Sequence, residues 1–588
     1  MCGIVGEYFF NQNQSNHNIE ILLEKVMKRG PDFSDIFTSD CIALGHSRLS
    51  IIDLSEASNQ PFVDKEAKMV IVYNGCIFNY LDLKDQLSKK GYIFKTTGDT
   101  EVIIKSYQEW GYDCLKKFEG DFAFAIWEEE CKKLFLARDR FGIKPLYFSN
   151  NTNYFRFGSN IQSIISKKDV DLIVDPMAMH LHFSLHSVVP APNTIFKNIK
   201  KVPPGHYLVI DKNNKLKVNA YWNLDNCSHQ DLITNENTAV EIINEKLIKA
   251  IRKRLYAADT DVGVLLSGGL DSSLIVALAN YDGFHDLKTY SIGFEDDLKE
   301  KGSEFFYSDQ IAKKYKTNHK KFVINNKSVL ARLPETFKSM SEPMVAQDAV
   351  AFYLLSELVS KDVKVVLSGQ GADEGFAGYF WYKKMSSELN NYRNFSKHYF
   401  DRSHEEIEDL LNIKFKEDYS SKMIKKTFKN INSQTLLGNV LNFDISTLVV
   451  DDPVKRVDNM TMAWGLEARV PFLDHELIEA SVRIDPKLHI KRNGKNILKS
   501  VSDNILPKDV IDRQKGYFPM PALKYIRGEY YEFVCDVLNS SSCYNRNLYN
   551  RKHIQSLLDK PNEYKTAIEG NKLWHVAATE LWFQQNID

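Results

Sequence analysis

No apolar run in this chain reaches the ~18 residues that a bilayer span requires, and the first residues include Glu7 and lack the basic start of a secretory signal. Neither a membrane protein nor an exported one is expected. An excess of charge of either sign is also lacking: 76 Lys and Arg stand against 77 Asp and Glu, a formal net charge of -1. No overall field therefore recruits nucleic acid or an anionic membrane. Cysteine is sparse, 8 in 588 residues, at positions 2, 41, 76, 114, 131, 227, 535 and 543. They show neither metal-ligand spacing nor a disulfide framework, and a reducing cytoplasm fits them best. Internal repeats, low-complexity runs and the lysine-bearing Gly-Lys-Ser/Thr phosphate loop are all missing.

The chain is nonetheless too long for one core, so two or more domains are expected. Residues 2–220 read as short β-rich runs (Cys41–Ile52, Met69–Tyr73, Phe122–Trp127, Lys133–Arg138 and Leu146–Phe148) interrupted by helical stretches Glu20–Lys28 and Leu81–Lys90. That is an α+β pattern. Residues 221–237 read as a polar connector anchored by Tyr221 and Trp222. From 238 to 588 the pattern turns α/β: an amphipathic helix Thr238–Tyr256, then apolar strands Val262–Leu266, Lys288–Phe294 and Val363–Ser368 alternating with helices, then a mostly helical tail. Continuous apolar strands between helices predict a parallel sheet buried on both faces.

Three places carry chemistry. Removal of Met1 would leave Cys2 at the N-terminus, where its own α-amine (pKa ~8) can take the thiol proton and leave a nucleophilic thiolate. The bland alternative is a buried cysteine at the start of a strand. The second place is Ser267-Gly268-Gly269-Leu270-Asp271-Ser272-Ser273, between an apolar strand and a helix. Glycines let backbone N–H groups approach phosphate there, and the helix start supplies the positive end of its dipole. The third, Ser368-Gly369-Gln370-Gly371-Ala372-Asp373-Glu374, follows another apolar strand. In a parallel sheet both loops emerge at the carboxyl ends of their strands. Asp271 and Asp373 can then flank one Mg2+, since an acid among phosphates needs a divalent ion between them. Solvated turns with helix-capping serines are the plain alternative.

Cys2, Arg29-Gly30-Pro31-Asp32, Arg48-Leu49-Ser50, Asn74-Gly75 and Gly98-Asp99 resemble a class II glutamine amidotransferase domain of the N-terminal-nucleophile type, an αββα sandwich. The loops Ser267–Ser273 and Ser368–Glu374, with Leu466–Asp474 and Gly494-Lys495, resemble an ATP-pyrophosphatase domain. In this order, over essentially the whole chain, the set is similar to the glutamine-hydrolysing asparagine synthetase family. The resemblance implies that Cys2 attacks the glutamine amide and releases ammonia, with Asn74 and the Gly75 N–H as oxyanion hole. It implies a glutamine pocket from Arg48, Leu49, Ser50, Ile51, Ile52, Asn74, Gly75, Cys76 and Asp99, with Arg48 on the α-carboxylate and Asp99 on the ammonium. It implies an ATP site from Leu265, Ser267, Gly268, Gly269, Asp271, Ser272, Ile292, Ser368 and Gly369. Gln370 and Glu374 fall at the acceptor carboxylate, which ATP adenylates with loss of pyrophosphate, and Lys495 stabilises the developing charge. The partners implied are small molecules, with a homodimer among the assemblies allowed.

Two departures bear on substrate. Family members usually carry an acid where this chain has Cys76, leaving Asp99 more of the glutamine ammonium. They also usually carry an acid where it has Gln370, and a neutral amide suits an acceptor without a free α-ammonium. With Phe183–Pro192 and Gly378–Tyr382, the pattern resembles the N-acetylglutaminylglutamine amidotransferase branch, against the alternative of an asparagine synthase acting on aspartate. An ATP-dependent cyclase needs no terminal cysteine, and a non-catalytic nitrogen sensor has no use for Asp271, Asp373 and Lys495. Cys2 weighs against the first and those three residues against the second.

Overall fold

A computed structural model describes residues 2–10, 18–224, 232–295, 304–345, 347–431, 433–513, 523 and 525–588. Cys227 and part of the 221–237 connector lie outside them. Residues up to Ala220 build two antiparallel sheets. The first contains β1 (Gly3–Phe9), β2 (Phe33–Thr38), β3 (Ile42–Arg48), β8 (Tyr147–Asn150), β9 (Tyr154–Gly158) and β10 (Lys200–Lys201), in the order β10-β8-β9-β1-β3-β2. The second contains β4 (Phe62–Asp64), β5 (Met69–Ile77), β6 (Gly120–Glu128), β7 (Lys133–Arg138), β11 (His206–Ile210) and β12 (Leu216–Ala220), in the order β12-β11-β7-β6-β5-β4.

Side-chain alternation sets the layers. Val70 and Val72 of β5 pack with Ile4 and Leu44 of the opposing sheet, while Ile71 and Tyr73 join Leu83, Leu87, Val102 and Ile103 of helices Tyr80–Lys89 and Asp99–Trp110. Val5 on the far face of β1 packs with Leu22 and Leu23 of helix Glu20–Glu24. The result is the αββα sandwich expected.

The third sheet is parallel throughout: β13 (Val262–Leu265), β14 (Lys288–Phe294), β15 (Asn318–Ile324), β16 (Val365–Leu367) and β17 (Glu467–Arg469), ordered β15-β14-β13-β16-β17. Strand order reverses between β13 and β16, and a crevice opens outside their carboxyl ends at such a switch point. Helices cover both faces. Val264 and Leu266 pack on helices Glu236–Tyr256 and Leu270–Tyr281, whereas Leu265 and Val366 pack toward helix Ala349–Val359.

Tyr221 and Trp222 do anchor the crossing: the Tyr221 hydroxyl donates to the Arg138 carbonyl at 2.9 Å and the Trp222 indole N–H to Glu479 at 2.8 Å. Contact between the two halves combines buried ion pairs, such as Lys201 with Glu342 and Asp451, with apolar patches. Leu49 and Ile51 meet Val365, and Cys76 and Phe78 meet Ala257. Among the described residues no helix is long and apolar enough to cross a membrane.

Candidate active sites

Cys2 is buried at the head of β1, and its backbone N–H donates to Asn74 Oδ1 at 3.0 Å. Asn74 Nδ2 is buried with no hydrogen-bond partner among the described residues. An amide whose oxygen is committed beside the thiol and whose N–H groups are unspent suits an oxyanion. Gly75 follows because nothing larger fits: a Cβ there would fall 2.2 Å from the Asp121 carbonyl oxygen. Burial pushes the Cys2 thiol up, against the positive charge at the start of the chain, a backbone N–H of Leu49 and Arg48. Arg29 Nε donates to the Cys2 carbonyl at 3.1 Å, while its two terminal nitrogens fork onto Asp458 of the second half at 2.8 and 3.0 Å.

A narrow cavity of about 30 Å³ adjoins Cys2, lined by Arg48, Leu49, Ile51, Ile52, Gly75 and Asp99 among others. Asp99 sits in the first turn of its helix, buried, accepting from the Tyr73 hydroxyl at 2.8 Å and the Ile77 N–H at 3.0 Å. Burial raises its carboxyl above the usual range, opposed by those two bonds. Three expected pocket residues have donors or side chains committed elsewhere. The Ser50 amide is turned to Asp32 at 2.7 Å, an acid also held by Lys364, so Ser50 does not line the cavity. Cys76 points its sulfur toward the Ala257 carbonyl, 3.9 Å away, in an apolar contact between the halves, and burial raises its thiol pKa. Arg48 does line the cavity, but its terminal nitrogens donate to the carbonyls of Ser55, Ile52 and Asp53 and to Asn59 Oδ1. A bidentate clamp on a glutamine carboxylate requires exchanging some of those bonds.

Glu467 and Arg469 of β17 also line this cavity, from the other half of the chain, joined by a 2.7 Å ion pair. Burial opposes the Glu467 charge, but Arg469 holds its carboxyl well below the usual range. By sequence the Leu466–Asp474 motif belongs with the nucleotide domain, yet its Glu467 and Arg469 reach the cavity beside Cys2. Its signal was two opposite charges two residues apart in an otherwise apolar run.

The second site is a cavity of about 410 Å³ at the switch point. Leu265, Ser267, Asp271, Ser272, Ile292, Ser368, Gly369, Gln370, Asp373 and Glu374 all line it, while Gly268 and Gly269 shape the loop behind the wall. Lys495 Nζ lies 2.6 Å from Asp271 Oδ2 and 2.7 Å from Asp373 Oδ1. Burial opposes the ammonium, yet the two carboxylates raise its pKa well above the ordinary lysine value. Gly378 makes room for the arrangement, since a Cβ there would meet Asp373 Oδ1 at 2.0 Å and Lys495 Cε at 2.3 Å. Glu374 is buried and accepts from the Tyr379 hydroxyl at 2.6 Å. The two carboxylates and the serine hydroxyls are hard oxygen donors of the kind that fits Mg2+, although the point on which the carboxylates converge is held by the Lys495 ammonium.

The same cavity extends past Gln370 to residues the sequence reading did not place there: His186, Trp381, Asp401, Arg456, Trp574 and His575. His186 Nδ1 lies 2.9 Å from Asp401 Oδ1. Burial lowers the His186 pKa but the Asp401 charge outweighs it, and the net shift is upward.

A cysteine beside an unspent amide donor in an αββα sandwich, joined to a phosphate loop at the switch point of a parallel sheet, defines a glutamine-dependent carbon–nitrogen ligase that uses ATP. Residues 243–584 match the asparagine synthase family and residues 1–222 the glutamine amidotransferase domain. Asparagine synthetase (glutamine-hydrolyzing) 3 of Bacillus subtilis is 30% identical, over 99% of this chain and 98% of that protein. The corresponding enzyme 1 of the same organism is 29% identical over 100% and 97%. A solved glutamine phosphoribosylpyrophosphate amidotransferase from B. subtilis matches 64% of this chain and 77% of its own, at 14% identity and a TM-score of 0.29, too low to bear on the fold. The chain belongs to the asparagine synthase family.

Proposed function

We propose that this enzyme hydrolyses glutamine in residues 2–220 and uses the ammonia to amidate an adenylated, N-blocked peptide carboxylate in residues 238–588. N-acetylglutaminylglutamine is the acceptor of choice. Cys2 Sγ adds to the glutamine amide carbon while its freed α-amine takes the thiol proton. Asn74 Nδ2–H and the Gly75 N–H receive the oxyanion, ammonia leaves, and water releases glutamate from the thioester. In the second site the acceptor carboxylate attacks the α-phosphorus of ATP and pyrophosphate departs. Ammonia then displaces AMP from the acyl carbon. Asp271 and Asp373 would hold Mg2+, which supplies charge neutralisation to the pyrophosphate when bound. Lys495 keeps the two acids together and offers its ammonium to the same leaving group.

Gln370 carries the choice of acceptor. Its Oε1 is buried with no hydrogen-bond partner among the described residues, and it lines the large cavity. The neighbouring acids are matched already: Asp401 with His186 at 2.9 Å, and Asp452 and Asp348 with Arg456 at 2.6 and 3.2 Å. Glu374, bonded to the Tyr379 hydroxyl, is the remaining buried acid of this wall, so an acceptor with a free α-ammonium would find little counter-charge beside Gln370 itself, and stranding a buried charge costs several kcal/mol. Neutral groups facing the cavity suit amides instead: Trp381 Nε1 and His575 Nε2 have no partner among the described residues. The test compares kcat/KM for N-acetylglutaminylglutamine and for aspartate under saturating ATP and glutamine, with AMP, pyrophosphate and the amidated product measured. A tenfold preference for aspartate, about 1.4 kcal/mol of transition-state discrimination, would replace this reading by an asparagine synthase.

A further inference from the structure

Away from both sites, three side chains from three chain segments meet in the helical layer. His180 lies on helix Pro176–Ser184, His404 opens helix His404–Leu410, and Asp418 immediately precedes helix Tyr419–Ile431. His180 Nε2 is 2.9 Å from His404 Nδ1 and 3.9 Å from Asp418 Oδ1, and the three ligand atoms lie within 4.8 Å of one another. We propose that His180, His404 and Asp418 form a binding site for a divalent transition-metal ion of the zinc class, with water as a fourth ligand.

The outer nitrogens of the two rings carry the argument. His180 Nδ1 lies 2.8 Å from Ser420 Oγ, and His404 Nε2 lies 3.7 Å from the Glu408 carboxylate. In the tautomers whose ring protons point outward to these neighbours, the arrangement of metal-bound histidines, both inner nitrogens are free to ligate. Two inner lone pairs then face each other at 2.9 Å, which a cation between them relieves. Tetrahedral zinc, with bonds of about 2.0–2.1 Å, sets its ligand atoms roughly 3.3 Å apart, between the two spacings seen. His180 is buried, so an ion bound to it would be shielded from water on that side. Asp418 is oriented by the Ser421 N–H at 2.9 Å and the Ser421 hydroxyl, and the rings of Phe415 and Tyr419 stand edge-on to His180.

The position gives the ion a purpose. Six residues after His180 comes His186, and three residues before His404 comes Asp401, the pair in the wall of the large cavity. An ion joining 180 to 404 braces both segments that present that pair.

The test uses the full chain, stripped with a chelator and dialysed. Zinc titration followed by elemental analysis should give one equivalent, and cobalt(II) should show the intense visible bands of a four-coordinate site. Asp418→Asn and His404→Ala should each weaken zinc binding 100-fold or more, and Glu408→Gln about tenfold. Added zinc should raise the Tm of the wild type but not of Asp418→Asn, which keeps an oxygen to cap its helix. A wild type that takes up no zinc, or zinc affinity unchanged in these variants, would leave a hydrogen-bonded imidazole pair and overturn the proposal.

Discussion

Replacing Lys495 by Met removes a cation that both Asp271 and Asp373 touch. Two oxygens held 2.6 and 2.7 Å from one nitrogen stand no more than about 5.3 Å apart. At that distance two unit charges in an effective dielectric of 20 repel by about 3 kcal/mol. Lys495 is 7% exposed, so water relieves little of this, and breaking a buried pair from one side costs about 3–5 kcal/mol in general. Lys495→Met should therefore lower the Tm measured by calorimetry without nucleotide, and adding Asp373→Asn should recover most of the loss, because the remaining carboxylate no longer faces a like charge. Synthesis should fall by at least two orders of magnitude in both variants, while glutamine hydrolysis at Cys2 continues. Equal destabilisation by Lys495→Met in the wild-type and Asp373→Asn backgrounds would show that no coupling exists and refute the reasoning.

Other outcomes follow from the same geometry. Cys2→Ala should abolish glutamate release from glutamine while synthesis with added ammonium salts persists, as separate assays of glutamate and of AMP will show. Asn74→Ala removes the unspent amide donor and should lower the glutaminase kcat about 10²–10³-fold, with little change in ammonia-dependent turnover. Asp444 is buried between the hydroxyls of Tyr382 and Tyr399, at 2.5 and 2.6 Å, and burial lifts its carboxyl pKa to about 7 despite them. Its raised pKa means that the folded state prefers the protonated form, so this contribution to stability is fully present below about pH 4 and is lost as pH rises to 7, a span worth about 4 kcal/mol. Asp444→Asn should accordingly lose less Tm, or gain some, at pH 8 relative to pH 5, and a pH-independent difference would sink that account.

The fold was legible where hydrophobicity had a period. Apolar β13 and β16 betrayed the parallel sheet, and the serine- and glycine-rich loops after them marked its switch point. Its edges were not legible. β15 reads Asn-His-Lys-Lys-Phe-Val-Ile and is largely exposed, and β17 is the three residues Glu467–Arg469, whose charges are buried by pairing rather than excluded from the core. Helix Asp99–Trp110 is not among the elements expected from sequence, where Asp99 stands out only as a ligand for the glutamine ammonium; in the fold its carboxylate is satisfied by Tyr73 and Ile77 across the sheet. Side-chain commitments were hidden for a similar reason. A motif shows that Arg48 and Ser50 are present, but only the folded chain shows that their donors and amide are bonded to a neighbouring loop and to Asp32.

Arg29 shows what such commitments mean for an enzyme with two sites. Read from the sequence it is one letter of a family motif. In the folded chain its Nε holds the carbonyl of Cys2 while its terminal nitrogens grip Asp458, all buried. Asp458 lies on helix Lys455–Met462, whose second residue, Arg456, lines the large cavity between Asp348 and Asp452. Less than one helical turn thus separates the wall of the synthetase cavity from the group that positions the nucleophile's own backbone. A shift of that helix on acceptor binding cannot leave Cys2 untouched unless the Arg29–Asp458 fork breaks, and breaking it strands a buried guanidinium at a cost of several kcal/mol. The pairing therefore favours concerted movement of the two sites over independent movement.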